Sequence, residues 1–356
     1  MIISRTPFRV SFFGGGTDYP IWYREHGGSV LVTTVNKYCY LSCRYLPPFF
    51  EHKSRIVWSR IERVGDTTEI THPSVRECLQ FMDVKHGVEI HHDGDLPARS
   101  GLGSSSAFTV GLLNALCALK GIMSSKRRLS LDALHVEQAR LGESVGSQDQ
   151  VSTAFGGFNR IDFGGKDDFQ VTPVILPGQR LQSLQDHLLM FFTGFSRTAS
   201  EIAGEQIRLT PQRSQELEAM HRMVDEALGV LTGGDDLSDF GRLLHESWQL
   251  KRSLTSRIST AEIDRIYETA RNAGAIGGKL LGAGGGGFMV FFTPPENQGA
   301  VRQALRHLLH VPFQFESAGS QIIFYEPESL RGQSEPPVVN RARTSESRRQ
   351  SALPLS

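Results

Sequence analysis

The chain has 356 residues, 39% of them hydrophobic and 21% charged, with 38 Lys plus Arg against 38 Asp plus Glu. This length favours two domains, and so ordinary a composition excludes a fibrous repeat or a chain disordered throughout. Balanced charge supplies no global positive field, so neither nucleic acid nor an anionic membrane is an expected partner.

The opening Met1-Ile2-Ile3-Ser4-Arg5 has no basic leader followed by a long apolar stretch, and the run 188–192 is too short to span a bilayer. A cytoplasmic protein is expected. Segments 8–13, 29–35 and 38–44 are rich in β-formers, with a Gly14-Gly15-Gly16 turn after the first. Cys39 and Cys43 fall on one face of such a strand and read as buried thiols; a zinc site would need more ligands, and His91-His92 is the only other cluster. Segment 87–91 reads as a further strand, 93–103 is dense in turn formers, and 104–120 is helical. Apolar residues cover most of that helix's circumference, from Ala107 and Phe108 to Leu119, so it should be buried.

A helix over 131–141, a polar loop over 142–147 and the triplet Gln148-Asp149-Gln150 follow. The second half predicts a strand at 188–193, helix over 198–231 broken near Pro211, and helices over 237–254 and 261–273. A glycine loop at 282–287, a strand at 288–292, a helix at 300–309 and a strand at 321–325 complete the pattern. The class is α+β, divided as 1–185 and 186–328. Residues 329–356, rich in Ser, Arg, Pro and Gln, are expected to be a disordered tail. Truncation after Glu328 should therefore leave melting temperature and turnover nearly unchanged; a large loss of either would show that the tail docks.

Three segments carry chemistry. The strongest is Pro97-Ala98-Arg99-Ser100-Gly101-Leu102-Gly103-Ser104-Ser105-Ser106-Ala107. Glycines let backbone approach an anion, serine hydroxyls add donors, and the first amides of the following helix point at the same place. It lacks the Gly-Lys-Ser/Thr ending of a Walker loop, and Ser106 stands where a dinucleotide fingerprint needs its third glycine. By itself it could also be a plain helix-capping turn. Five glycines in the six positions 282–287 are costly in entropy unless backbone passes close to something. The third segment, Thr6-Pro7-Phe8-Arg9-Val10 with Gly14-Gly15-Gly16-Thr17-Asp18-Tyr19, adds a carboxylate and an arginine to a glycine turn.

In this order and spacing the three segments resemble the motifs of the GHMP kinases, the family of galactokinase, homoserine kinase, mevalonate kinase and phosphomevalonate kinase. The match runs from about residue 3 to residue 325. The resemblance implies an N-terminal domain like ribosomal protein S5 domain 2 packed on a ferredoxin-like C-terminal domain, with ATP and Mg2+ bound between them. Pro97, Arg99, Ser100, Gly101, Leu102, Gly103, Ser104, Ser105 and Ser106 would bind the triphosphate, and Ser105 with Glu137 would hold magnesium. Asp149 aligns with the catalytic aspartate, and Arg9 would offset charge on the transferring phosphoryl group. Outside that resemblance, Glu137 reads as a solvent-facing helix carboxylate and Arg9 and Asp149 as surface ion-pair partners. Gly15, Gly16, Thr17, Asp18, Arg197, Gly284 and Gly285 would contact the acceptor.

Asp18 suits a vicinal diol, so the acceptor should be a small sugar or sugar phosphate. Galactokinase has Gly-Glu-His before its Thr-Asp, which Gly14-Gly15-Gly16 replaces here. The turn resembles that of the heptose 7-phosphate kinases and the related fucokinase domain, as do Phe192-Thr193-Gly194-Phe195-Ser196-Arg197-Thr198-Ala199-Ser200 and His245-Glu246-Ser247-Trp248-Gln249-Leu250-Lys251-Arg252. D-glycero-D-manno-heptose 7-phosphate, phosphorylated at its anomeric hydroxyl, is the implied substrate. Arg197 and Lys251 read equally as anion contacts or as structural ion-pair partners. A catalytically inactive sugar sensor of the same fold is the other option, and oligomeric state, a homodimer included, is left open.

Overall fold

Strands β1 (Ile2–Phe13) and β2 (Gly28–Tyr45) pair antiparallel from Ile2 opposite Cys43 to Phe13 opposite Leu31. The structure is a computed structural model that describes residues 1–47, 49–98, 101–165, 168–194, 199–234 and 236–326, so Arg99, Ser100, Arg197 and the 329–356 tail lie outside it. The two strands expected at 29–35 and 38–44 are one: a register shift between Pro7 and Phe8 lets β2 run on, at the place where Pro7 has no N–H to donate. Helix α1 (Pro20–His26) fills the turn between β1 and β2. Next come β3 (Ser54–Val57), β4 (Ile61–Val64), α2 (Pro73–Phe81) and β5 (Val88–Gly94), which extend the sheet as β1-β2-β5-β3-β4.

Helix α3 (Ser104–Leu119) lies on β1 and β2, buried along its length as its apolar circumference predicts. It sits close to β1 because Gly111 has no side chain: a Cβ there would be 2.7 Å from Thr6 Oγ1, and Ser4 Oγ donates to the Gly111 carbonyl at 2.9 Å. Cys39 and Cys43 are buried thiols in the same core. Helix α4 (Lys126–Leu134) runs into a π-helical turn, His135–Arg140, where one α-helix over 131–141 was expected. Helix α5 (Gln148–Phe155), β6 (Phe158–Gly164) beside the first part of β2, β7 (Asp168–Pro173) and α6 (Gly178–Asp186) complete the first half.

A second, antiparallel sheet has the order β11-β8-β10-β9, formed by β8 (Leu188–Phe192), β9 (Gly277–Leu280), β10 (Phe288–Phe292) and β11 (Leu309–His310). Its helices are α7 (Ala199–Leu209), α8 (Ser214–Gly233), α9 (Ser238–Leu254), α10 (Ala261–Asn272) and α11 (Gln298–Ala304). A 3-10 turn at Thr210–Gln212 makes the break expected at Pro211. Helix α9 lies directly on β9, since a Cβ on Gly277 would be 1.9 Å from the Gly241 carbonyl oxygen.

The division at residue 185 is not clean. Strand β12 (Phe315–Glu316) pairs with β2 and β13 (Gln321–Tyr325) with β1, so the chain returns to its first sheet. Phe240 of α9 meets Phe12 and Phe13 of β1 edge-on, with ring centroids 5.5 and 5.1 Å away, so one core runs through both halves.

Candidate active site

The ends of β1, α3, α5, α9 and β9 surround a cavity of about 1250 Å³. Gly101 and Gly103 adopt φ of 84° and 72°, a region that favours glycine, and Gly103 is the N-cap of α3, with no side chain of its own to offer the helix. Those amides have no intrahelical acceptor, so the positive end of the helix faces the cavity where Pro97, Gly101, Gly103, Ser104 and Ser105 line it. Leu102 does not reach the cavity; its side chain is buried in the core and its carbonyl accepts from Arg9 N at 3.0 Å. The second glycine loop explains the first: a Cβ on Gly101 would be 2.4 Å from the Leu281 carbonyl oxygen, and one on Gly282 would be 2.5 Å from Gly101 Cα.

Arg9 and Asp149, 140 positions apart, form a bidentate pair, Nε to Oδ1 at 2.6 Å and Nη2 to Oδ2 at 2.7 Å. The third arm of the guanidinium, Nη1, donates to the Gly101 carbonyl at 2.7 Å, so one side chain ties β1, α5 and the glycine loop together. Asp149 is in the first turn of α5 and 23% exposed, and it faces the cavity.

One residue on, Gln150 points inward and donates to Glu137 Oε2, which also accepts from Ser106 Oγ at 2.8 Å. Glu137 is wholly buried, and burial pushes its carboxyl up to about 7. The expected partnership with Ser105 is therefore corrected: successive helical side chains diverge, so Ser105 is exposed at the cavity and Ser106 turns to Glu137. Glu137 Oε1 is buried with no hydrogen-bond partner. An unpartnered carboxylate oxygen, with the Ser106 hydroxyl on the other oxygen of the same group, has the donor chemistry of a magnesium ligand, although Glu137 is not itself on the cavity wall. Among the described residues no cluster of three His, Cys, Asp or Glu side chains could hold a metal on its own.

In the N-terminal turn, Gly15, Gly16 and Asp18 line the cavity, but Thr17 does not. Thr17 is completely buried, and its hydroxyl serves the backbone of Gly14 and Ser29 at 2.8 to 3.1 Å; its place as an acceptor contact is corrected to a structural one. Asp18 accepts from Gly16 N at 2.9 Å, Gln148 Nε2 at 3.0 Å and Gln148 N at 3.3 Å. Burial pushes its carboxyl above the usual range. The loop before α5 fits against it, since a Cβ on Gly146 would be 2.0 Å from Asp18 Oδ2.

Gly284 lines the cavity, whereas the Gly285 amide is already used, donating to the Ile258 carbonyl at 3.0 Å. Lys251 is at the cavity, and Lys279, which sequence reasoning missed, is beside it. Elsewhere on the wall the rings of His72 and Phe108 stack with centroids 4.8 Å apart, with His92 edge-on to Phe108 and Trp58 edge-on to His72.

Two models of one family match, "GHMP kinases N terminal domain" over residues 71–157 and "GHMP kinases C terminal" over residues 217–310, together about half the chain. The chain is 29% identical over 322 residues to the D-glycero-alpha-D-manno-heptose 7-phosphate kinase of Campylobacter jejuni, covering 86% of this chain and 93% of that one. It is 26% identical over 328 residues to the bifunctional fucokinase/GDP-fucose pyrophosphorylase of Arabidopsis thaliana, covering 84% of this chain and only 30% of that longer protein. A crystal structure described as a D-glycero-D-manno-heptose 1-phosphate kinase from Bacteroides thetaiotaomicron superposes with a TM-score of 0.73 at 24% identity, over 92% of this chain and 100% of that one, a likeness of fold. Among the described residues no helix is long and apolar enough to cross a membrane.

Proposed function

This chain belongs to the GHMP kinase family, and from that premise we propose that it transfers the γ-phosphoryl group of ATP to the anomeric hydroxyl of D-glycero-D-manno-heptose 7-phosphate. The observation that carries the reading is the bidentate Arg9–Asp149 pair in the cavity, tied to the carbonyl of Gly101 in the glycine loop. Nucleotide phosphates bind the loop and the first turn of α3, and the purine lies against the wall formed by Trp58, His72, His92 and Phe108. Glu137 with Ser106 would hold magnesium, which would neutralise charge on the phosphates.

Asp149 takes the proton of the acceptor hydroxyl as its oxygen bonds to the γ-phosphorus. The bond from that phosphorus to the bridging oxygen breaks, and its electron pair leaves with ADP. Arg9 holds the carboxylate in place and balances charge on the phosphoryl group. An anomeric hydroxyl is more acidic than an ordinary alcohol, so a carboxylate is a sufficient base. The acceptor support is the Gly14-to-Asp18 turn without the Glu-His of galactokinase, together with the 29% identity to the Campylobacter enzyme. An inactive sugar sensor would have no need of an intact Arg9, Asp149 and Glu137.

A panel of sugars and sugar phosphates, followed by ADP release and phosphorus NMR, is expected to show turnover on the heptose 7-phosphate with a second, anomeric phosphate in the product. Efficient turnover of galactose or fucose with little on the heptose phosphate would overturn the acceptor and leave the kinase reading standing.

A further inference from the structure

The cavity holds two lysines that, among the described residues, form no ion pair with a carboxylate. Lys251 is 6% exposed and Lys279 only 2% exposed. Lys251 Nζ donates to the Gly282 carbonyl and, at 3.5 Å, to that of Leu280; Lys279 Nζ donates to the Phe12 carbonyl at 2.7 Å. An ammonium has three donors, so donors remain on both. Among the described residues neither lysine has a carboxylate within salt-bridge distance. The charged groups facing them are Arg9 from β1, Asp18 from the N-terminal turn and Asp149 from α5. Asp149 is taken by Arg9, and Asp18 is committed to Gly16 and Gln148.

Two like charges buried side by side cost free energy unless an anion joins them. Gly277 and Gly241 let α9 lie on β9, and Lys251 Nζ reaches the carbonyl of Leu280, the residue next to Lys279. The Phe12 carbonyl on the strand that carries Arg9 and the Gly282 carbonyl in the second glycine loop hold both lysines on the wall of the same cavity that Arg9 and Asp149 line. Two ammoniums match the charge of a phosphate monoester, which is close to −2 at neutral pH.

We propose that Lys251 and Lys279 form a subsite for a terminal phosphate dianion on the wall made by α9 and β9. The subsite rests on the kinase reading and deepens it. The dianion is either the terminal phosphate of the nucleoside triphosphate or the phosphomonoester of the acceptor, two sources of one chemistry. In the free protein, burial and the charge of Arg9 push Lys251 down to about 8, and burial with the charge of Lys251 takes Lys279 well below its usual value. An arriving dianion favours the charged form of both. Near pH 8 the complex therefore binds more protons than the free protein, and affinity falls as pH rises through 8.

The test is calorimetry on the full chain with magnesium at pH 8, in two buffers of different ionisation enthalpy. The ligands are a non-hydrolysable ATP analogue, ADP, a sugar 7-phosphate and the same sugar without phosphate. Wild type is expected to take up protons with the ligand whose phosphate fills the subsite. Lys251→Met and Lys279→Met should each weaken that ligand about tenfold or more and lower the uptake, while Lys279→Arg restores binding. A loss confined to the ATP analogue relative to ADP assigns the nucleotide phosphate, and one confined to the sugar phosphate assigns the acceptor; either supports the subsite. Unchanged affinities, an equal loss for all four ligands, or no proton uptake by wild type would overturn it. Should Lys279→Met fail to fold, wild-type proton uptake and its decrease, with the lost affinity, in Lys251→Met still decide. Wild type that binds neither nucleotide would instead sink the kinase reading itself.

Discussion

Replacing Asp149 with Asn is expected to lower turnover by about two to four orders of magnitude while nucleotide affinity stays within a few-fold. Asparagine fills the same space at the start of α5 but cannot take the acceptor's proton, and its amide opposes one of the Arg9 donors that now meet Oδ1 and Oδ2. Because the transition state is loose, placement of the acceptor and charge balance still supply part of the acceleration, so the residual rate is above background. Glu137→Gln should behave differently, raising the magnesium requirement more than it lowers the saturated rate, since Glu137 lies behind the loop and meets Ser106 and Gln150 rather than Asp149. Single-turnover ADP release alongside nucleotide titration separates the two. Near-normal turnover in the Asn variant would remove Asp149 from the role of base.

The second large effect is expected from Gly101→Ala, which should abolish measurable nucleotide binding even if the chain still folds. At φ 84° any side chain is strained, at a cost of about 1 to 3 kcal/mol. The new methyl would also lie 2.4 Å from the Leu281 carbonyl oxygen, a backbone atom that cannot swing aside. Relief requires the two glycine loops to part, which carries the Gly101 carbonyl off Arg9 Nη1. Comparing Gly101→Ala with Gly121→Ala controls for glycine loss at positive φ, because a Cβ at Gly121 meets nothing within 4 Å. Equal nucleotide affinity in the two variants would refute the claim that the loops constrain each other.

What was legible in the sequence follows from how narrowly each residue type is constrained. Gly101, Gly103 and Gly284 announce themselves because only glycine tolerates their φ or the backbone pressed against them. Strands β10 and β13 stand where their apolar runs predict, and α3 is buried as its unbroken apolar surface requires. Side-chain direction is harder to read. Thr17 stands between two cavity-lining residues, yet its hydroxyl turns to the Ser29 backbone. Ser105 and Ser106 are alike in sequence, and only the phase of α3 decides which one meets Glu137. Lys279 was missed because a lone lysine before a glycine loop looks like a surface charge. The available signal was its place between Gly277-Gly278 and Leu280-Leu281, where close backbone packing on one side and apolar residues on the other leave a charge little access to water.

The strand that carries Arg9 has β2 on one edge, and its other edge is covered by β13, some three hundred residues later in the chain. Ile2, Ile3, Ser4 and Arg5 wait for Tyr325, Phe324, Ile322 and Gln321, and the amino group of Met1 ends beside the carbonyl of Glu326. During synthesis the half-built site therefore sits on an unprotected sheet edge until β13 has followed, the interval in which such an edge invites mispairing with neighbouring nascent chains.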